Sequence, residues 1–185
     1  GKMLQKKNTF TDFIAVADDL IERRVTTPDQ MVAEGGSAGG MLMGAVANLA
    51  PDLFAGILAG VPFVDALTTI LDPSLPLTVI EWDEWGDPLH DASVYEYMKS
   101  YTPYENVREG VEYPRILAVT SLNDTRVYYV EPAKWVARLR AVGADALLKC
   151  EMVAGHGGVS GRYNAWHQRA FEIAWLLDVV GLADA

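Results

Sequence analysis

Four short apolar runs, separated by helical patterns, constrain this chain most. They are "MVAE" from Met31, "FAGILAG" from Phe54, "RILAVTS" from Arg115 and "ALLKCEMV" from Ala146. Short runs with little polar alternation suit strands buried on both faces, the condition of a parallel sheet covered by helices. Between them, Phe13, Ile14, Val16, Leu20 and Ile21 repeat at helical spacing. That repeat predicts a helix capped by Thr11 and running to about Arg23. "AGGMLMGAVANLA" is apolar on nearly every side, as expected of a helix sunk in a core and ended by Pro51. "DASVYEYMKSY" reads as a helix capped by Asp91. "EPAKWVARLRAV" reads as one with Pro132 in its first turn and Gly143 at its end, and Tyr163 to Val180 as a last helix stopped by Gly181. Residues 61–90 are Pro-rich and read as a long irregular loop, a feature usually tied to function. Strands alternating with helices give an α/β fold, with a mostly parallel sheet and helices on both faces.

In such sheets ligands sit beyond the C-terminal ends of the strands. The first run ends in "EGGSAGG", and Gly35 to Gly39 fits G-x-S-x-G. That pattern describes a strand, a strained turn and a helix, with a serine hydroxyl exposed at the tip. The third run ends in "LNDTRV" and the fourth in "AGHGG". The three loops carry Ser37, Asp124 and His156 in that order. A serine hydroxyl needs a base to take its proton, and the base needs a carboxylate to fix its tautomer and stabilise its charged form. Ser, then Asp, then His is the chain order of α/β-hydrolases. Each residue also has a plain reading. Ser37 could be a turn residue, Asp124 a helix cap and His156 a loop residue. His90 and His167 compete for the base, and Asp65, Asp72 and Asp87 for the acid. Neither histidine follows a strand, and the three acids come too early in the chain.

The chain has 185 residues, half of them hydrophobic, enough for one domain with a core of its own. Its net charge of −10 argues against nucleic acid or an anionic membrane as partner. Cys150 is the only cysteine, so no internal disulfide and no Cys-rich metal site can form; it reads as a buried apolar filler. No apolar stretch is long enough to span a membrane and no signal core follows the basic "GKMLQKK", so a cytoplasmic location is the expectation. A start at Gly1, straight into that segment, reads as the middle of a larger protein.

Longer stretches carry a resemblance. "EGGSAGGMLMGAVANLAPDLFAGILAGVPFVDALTTILDPSLPLT", "EWDEWGDP", "YEYMKSYTPYENV" and "GHGGVSGRY" resemble the C-terminal catalytic region of the prolyl oligopeptidase family of serine peptidases, in its oligopeptidase B branch. The resemblance covers nearly the whole chain. It implies an α/β-hydrolase fold of which residues 1–185 form the C-terminal part only. It implies a serine hydrolase that cleaves short peptides after Arg or Lys without metal or cofactor. Ser37 is then the nucleophile, Asp124 orients the base and His156 is the base. The backbone N–H of Ala38 serves the oxyanion. Arg126 matches an arginine that binds the peptide near the scissile bond. Glu81 and Asp83 match an acidic pair that receives the basic side chain, with Asp83 one methylene shorter than the usual Glu.

The resemblance also implies an N-terminal propeller, early sheet strands and a tyrosine oxyanion donor, none of which this sequence contains. The expected partners are short basic peptides, a complementing N-terminal fragment or a second copy along a bare sheet edge. Two other functions stay open on the sequence. One is an esterase for small acyl esters; the other is a non-catalytic remnant that binds a partner through that edge.

Overall fold

The computed structural model describes residues 1–183. Four strands form one parallel sheet in the order of the chain: β1 (Val32–Gly36), β2 (Gly56–Gly60), β3 (Arg115–Ser121) and β4 (Ala146–Glu151). The strands lie where the apolar runs place them. Alternate residues face opposite ways. Ile57, Ala59, Ile116 and Ala118 pack on one side into a core shared with α1 (Lys7–Glu22), α2 (Ala38–Leu49) and α6 (Val130–Ala141). Leu58, Leu117 and Val119 face the other side, where Trp175 of α7 (Arg162–Val179) covers them. Both faces are therefore dry, which explains the unbroken apolar runs.

α2 is apolar all round for a related reason. Its Met43, Val46 and Ala47 join the core at the sheet, while Met41 and Ala45 join a second core. That second core holds Phe10 together with residues of α3 (Ala66–Ile70), α4 (Thr78–Trp85) and α5 (Ala92–Lys99). Asp91 caps α5, accepting the Ser93 N–H at 2.8 Å and that of Val94 at 3.4 Å.

Three expectations are corrected. Residues 61–90 are not an irregular loop: α3 and α4 interrupt them, and α4 carries Glu81 and Asp83 on a helix. Thr11 does not cap α1, which begins at Lys7; its hydroxyl bonds back to the Lys7 carbonyl within the helix. Cys150 is partly exposed rather than a buried filler. Among the described residues no helix is long and apolar enough to cross a membrane.

Candidate active site

Ser37 links β1 to α2 with φ 57° and ψ −120°, a left-handed conformation that a residue bearing a Cβ rarely adopts. Strain of this kind persists only where the surroundings over-determine it. Here the Ser37 N–H donates to Gly60 O at 2.9 Å, and its carbonyl accepts the N–H groups of Gly40 at 2.9 Å and Phe63 at 3.1 Å. The flanking glycines permit the close passage. A Cβ on Gly35 would lie 2.5 Å from the Gly39 carbonyl oxygen, and one on Gly40 would lie 2.5 Å from Pro62. A Cβ on Gly39 meets nothing within 4 Å. Gly35→Ala and Gly40→Ala are therefore expected to lower stability by about 1–3 kcal/mol, because backbone must move. Gly39→Ala is expected to raise it by roughly 0.5–1 kcal/mol, since alanine is the better helix former. Thermal unfolding of the three variants checks the contrast, and equal melting of all three would contradict it.

The loops after β3 and β4 bring Asp124 and His156 to Ser37. His156 Nε2 lies 3.1 Å from Ser37 Oγ, and Nδ1 lies 2.8 Å from Asp124 Oδ2. The Asp124 carboxylate is fully buried, and its Oδ1 accepts the N–H groups of Arg126 at 2.9 Å and Val127 at 3.0 Å. A carboxylate can only accept, so Nδ1 carries a proton, and in the neutral ring the Nε2 lone pair then faces the serine hydroxyl. The rivals are placed elsewhere. His90 Nδ1 bonds Asp87, His167 sits within α7, and Asp65 pairs with Lys134. Ala38 is the first residue of α2, so its N–H has no carbonyl within the helix to meet.

Beside Ser37 opens a cavity of about 550 Å³, bounded by Leu42, Phe63 and Ile70 and by the acidic face of α4. Glu81, Asp83 and Arg126 all line it. Glu81 is oriented by Trp85, whose indole N–H donates to Oε2 at 2.8 Å. The ion pairs made by arginines involve Arg23, Arg115 and Arg169 and leave Arg126 out, among the described residues. Among the same residues no group of three or more His, Cys, Asp or Glu is placed to hold a metal ion.

Two residues on this cavity wall escaped the sequence reading. Lys6 is almost fully buried, forms an ion pair with Glu84 and lies 4.3 Å from the Trp85 ring centroid. Glu131, in the first turn of α6, is 2% exposed. No local signal marks either one, because their burial depends on elements distant in the chain. Burial pushes the Glu131 carboxyl up from its ordinary 4.5 to about 7, against the opposing hydrogen bonds from Thr69 and the Asp65 N–H.

A carboxyl with a raised native value holds its proton in the folded state after the unfolded chain has released it. Stability therefore falls as pH rises from about 4.5 to about 7. The Glu131 contribution to that fall is about 3 kcal/mol. Glu131→Gln is expected to flatten the fall, as read from urea unfolding at pH 5 and pH 8. An identical decline in the variant would mean that Glu131 does not titrate as its burial requires.

Residues 1–183 match the model of the prolyl oligopeptidase family. Protease 2 of Moraxella lacunata is 56% identical over 98% of this chain and 26% of its own length. Dipeptidyl aminopeptidase BI of Pseudoxanthomonas mexicana is 47% identical over 99% of this chain and 25% of its own. Among solved structures, oligopeptidase B from Leishmania major superposes with a TM-score of 0.95 at 48% identity, covering 99% of this chain and 26% of that one. The chain thus spans about a quarter of the length of the relatives it matches. With the family model matching almost end to end and one relative more than half identical, the chain belongs to the prolyl oligopeptidase family.

Proposed function

We propose that this chain carries the reaction centre of a serine oligopeptidase that cleaves short peptides after Arg or Lys. The observation that carries the reading is the continuous contact from Asp124 through His156 to Ser37 at the mouth of the cavity that Glu81 and Asp83 line. Ser37 Oγ attacks the peptide carbonyl carbon as His156 Nε2 takes the hydroxyl proton. Asp124 stabilises the imidazolium. The Ala38 N–H faces the developing oxyanion. His156 then passes the proton to the leaving amine, and the C–N bond breaks to leave an acyl ester on Ser37. Water, deprotonated by His156, attacks that ester; the proton returns to Ser37 and the acid leaves. Arg126 holds the peptide beside the reacting bond. Glu81 and Asp83 take the basic side chain through charge-assisted hydrogen bonds.

A solved relative supports covalent chemistry in this family: oligopeptidase B from Trypanosoma brucei, 48% identical, holds covalently bound antipain. One relative is named a protease and another a dipeptidyl aminopeptidase, so the shared part is the reaction centre rather than the length of substrate. A complementing N-terminal segment or a second copy along β1, an edge of the sheet, completes the proposal. Labelling with an uncharged fluorophosphonate, followed by peptide mapping, tests it. A single adduct on Ser37 is expected. No adduct on the folded chain would leave the non-catalytic binding remnant. Faster turnover of short acyl esters than of Arg-amides would favour the esterase.

A further inference from the structure

We propose that Glu131 is a positioning residue for substrate selection: through Thr69 and Thr78 it fixes α4, and with it Glu81 and Asp83, relative to Ser37. The inference rests on the function proposed above and deepens it. Its ground is a chain of hydrogen bonds between the triad and the acidic helix. Asp124 holds the turn at 124–127, and in the adjoining turn that opens α6 the Glu131 N–H bonds the Tyr128 carbonyl at 3.0 Å. The Glu131 carboxylate then crosses to α3. One oxygen accepts the Asp65 N–H at 3.0 Å and the other the Thr69 hydroxyl at 2.6 Å. The Thr69 carbonyl in turn accepts the hydroxyl of Thr78 at 3.1 Å. Thr78 is the first residue of α4, and Glu81 follows one turn later.

The site needs such a link. α4 has eight residues, too few to be stable on helix propensity alone. Its carboxylates must nonetheless meet a cation at a set distance from Ser37, and small misplacements cost much of the rate. An acid at position 131 is also costly in itself. Lys134, one turn further along α6, pairs with Asp65 instead, and no described residue forms an ion pair with Glu131. A well-packed apolar residue commonly serves stability as well as a buried charge does. The carboxylate is explained by the two donors it joins.

The test compares two covalent probes of Ser37 on the chain as it stands. One is an uncharged alkyl fluorophosphonate and the other a phosphonate bearing a benzamidine group. The unmutated chain is expected to react faster with the cationic probe. Thr69→Val and Thr78→Val delete only a hydroxyl, keep the side-chain shape and should leave the folded chain intact. Together with Glu131→Ala, they are expected to weaken apparent binding of the cationic probe by about tenfold. The limiting rate of labelling and the reaction with the uncharged probe should be nearly unchanged. Glu131→Gln keeps an acceptor for the Asp65 N–H and should recover most of the preference. An unaltered probe ratio in all three disruptive variants overturns the positioning role, and so does an equal loss with both probes. Failure of the uncharged probe to label the unmutated chain overturns the function itself, and the positioning role with it.

Discussion

Ser37→Ala is expected to abolish hydrolysis, with a fall in kcat of about 10⁶-fold, while the fold remains. The hydroxyl makes its hydrogen bond to His156 at the site and belongs to neither core. Alanine can take the same φ of 57° at the same strain, held by the bonds to Gly60, Gly40 and Phe63 that use only backbone. His156→Ala should cost nearly as much, because the serine proton then has no acceptor. Asp124→Ala should cost about 10⁴-fold, since the imidazole loses its orientation. The losses are not additive: the double variant Ser37→Ala with His156→Ala should be no worse than either alone. Steady-state hydrolysis of an acyl ester and an Arg-amide, with thermal unfolding as the fold control, checks all four. Substantial activity in Ser37→Ala on either substrate would exclude Ser37 as the nucleophile.

The second large effect concerns the cavity. A guanidinium leaving water for a partly enclosed site needs a counter-charge in place of its hydration. Three carboxylates stand on α4, but they are not equivalent. Glu84 is already paired with Lys6, so its charge is taken. Glu81 is aimed by Trp85, and Asp83 lines the same wall with no such partner among the described residues. Replacing both as Glu81→Gln with Asp83→Asn removes the available charge and keeps the shape. Charged hydrogen bonds contribute roughly 1.5–3 kcal/mol each. The kcat/KM ratio of Arg-amide to acyl ester should fall at least about tenfold, with the ester rate spared. High salt should weaken the preference of the unmutated chain less than it would for a fully exposed pair. A double variant that keeps its full preference for basic residues would mean that the acidic face of α4 is only a solvated surface.

The sheet and the meeting of Ser37, Asp124 and His156 were legible because each rests on local signals. Four buried runs gave the strands, the glycines around Ser37 gave the elbow, chain order selected Asp124 from its rivals and a place after a strand selected His156. The acidic helix was hidden. Pro73, Pro76 and Gly86 dominate its surroundings, and β-branched Thr78, Val79 and Ile80 begin it. It is helical because Trp85 is buried in the second core and Lys6 meets Glu84, contacts made with residues far away in the chain. The start of α1 was missed for a similar reason. Phe10 faces the second core, off the stripe formed by Phe13, Ile14 and Ile21. Glu131 looks like any acid in the first turn of a helix until α3 folds over it, 62 residues away at Thr69.

β4 is an edge strand, bonded to β3 and on its other side to no strand among the described residues. His156 hangs from the loop that follows it, while Ser37 sits just beyond β1 at the opposite edge, 119 residues away. Edge elements open at a lower free energy than the interior of a sheet. A brief fraying of β4 would carry the imidazole off and leave the serine in its strained turn, silent and undamaged. The fraction of molecules able to react would then follow the local opening of one border, not the unfolding of the whole. Under mild denaturant, reactivity would fade while the core at the sheet still stood.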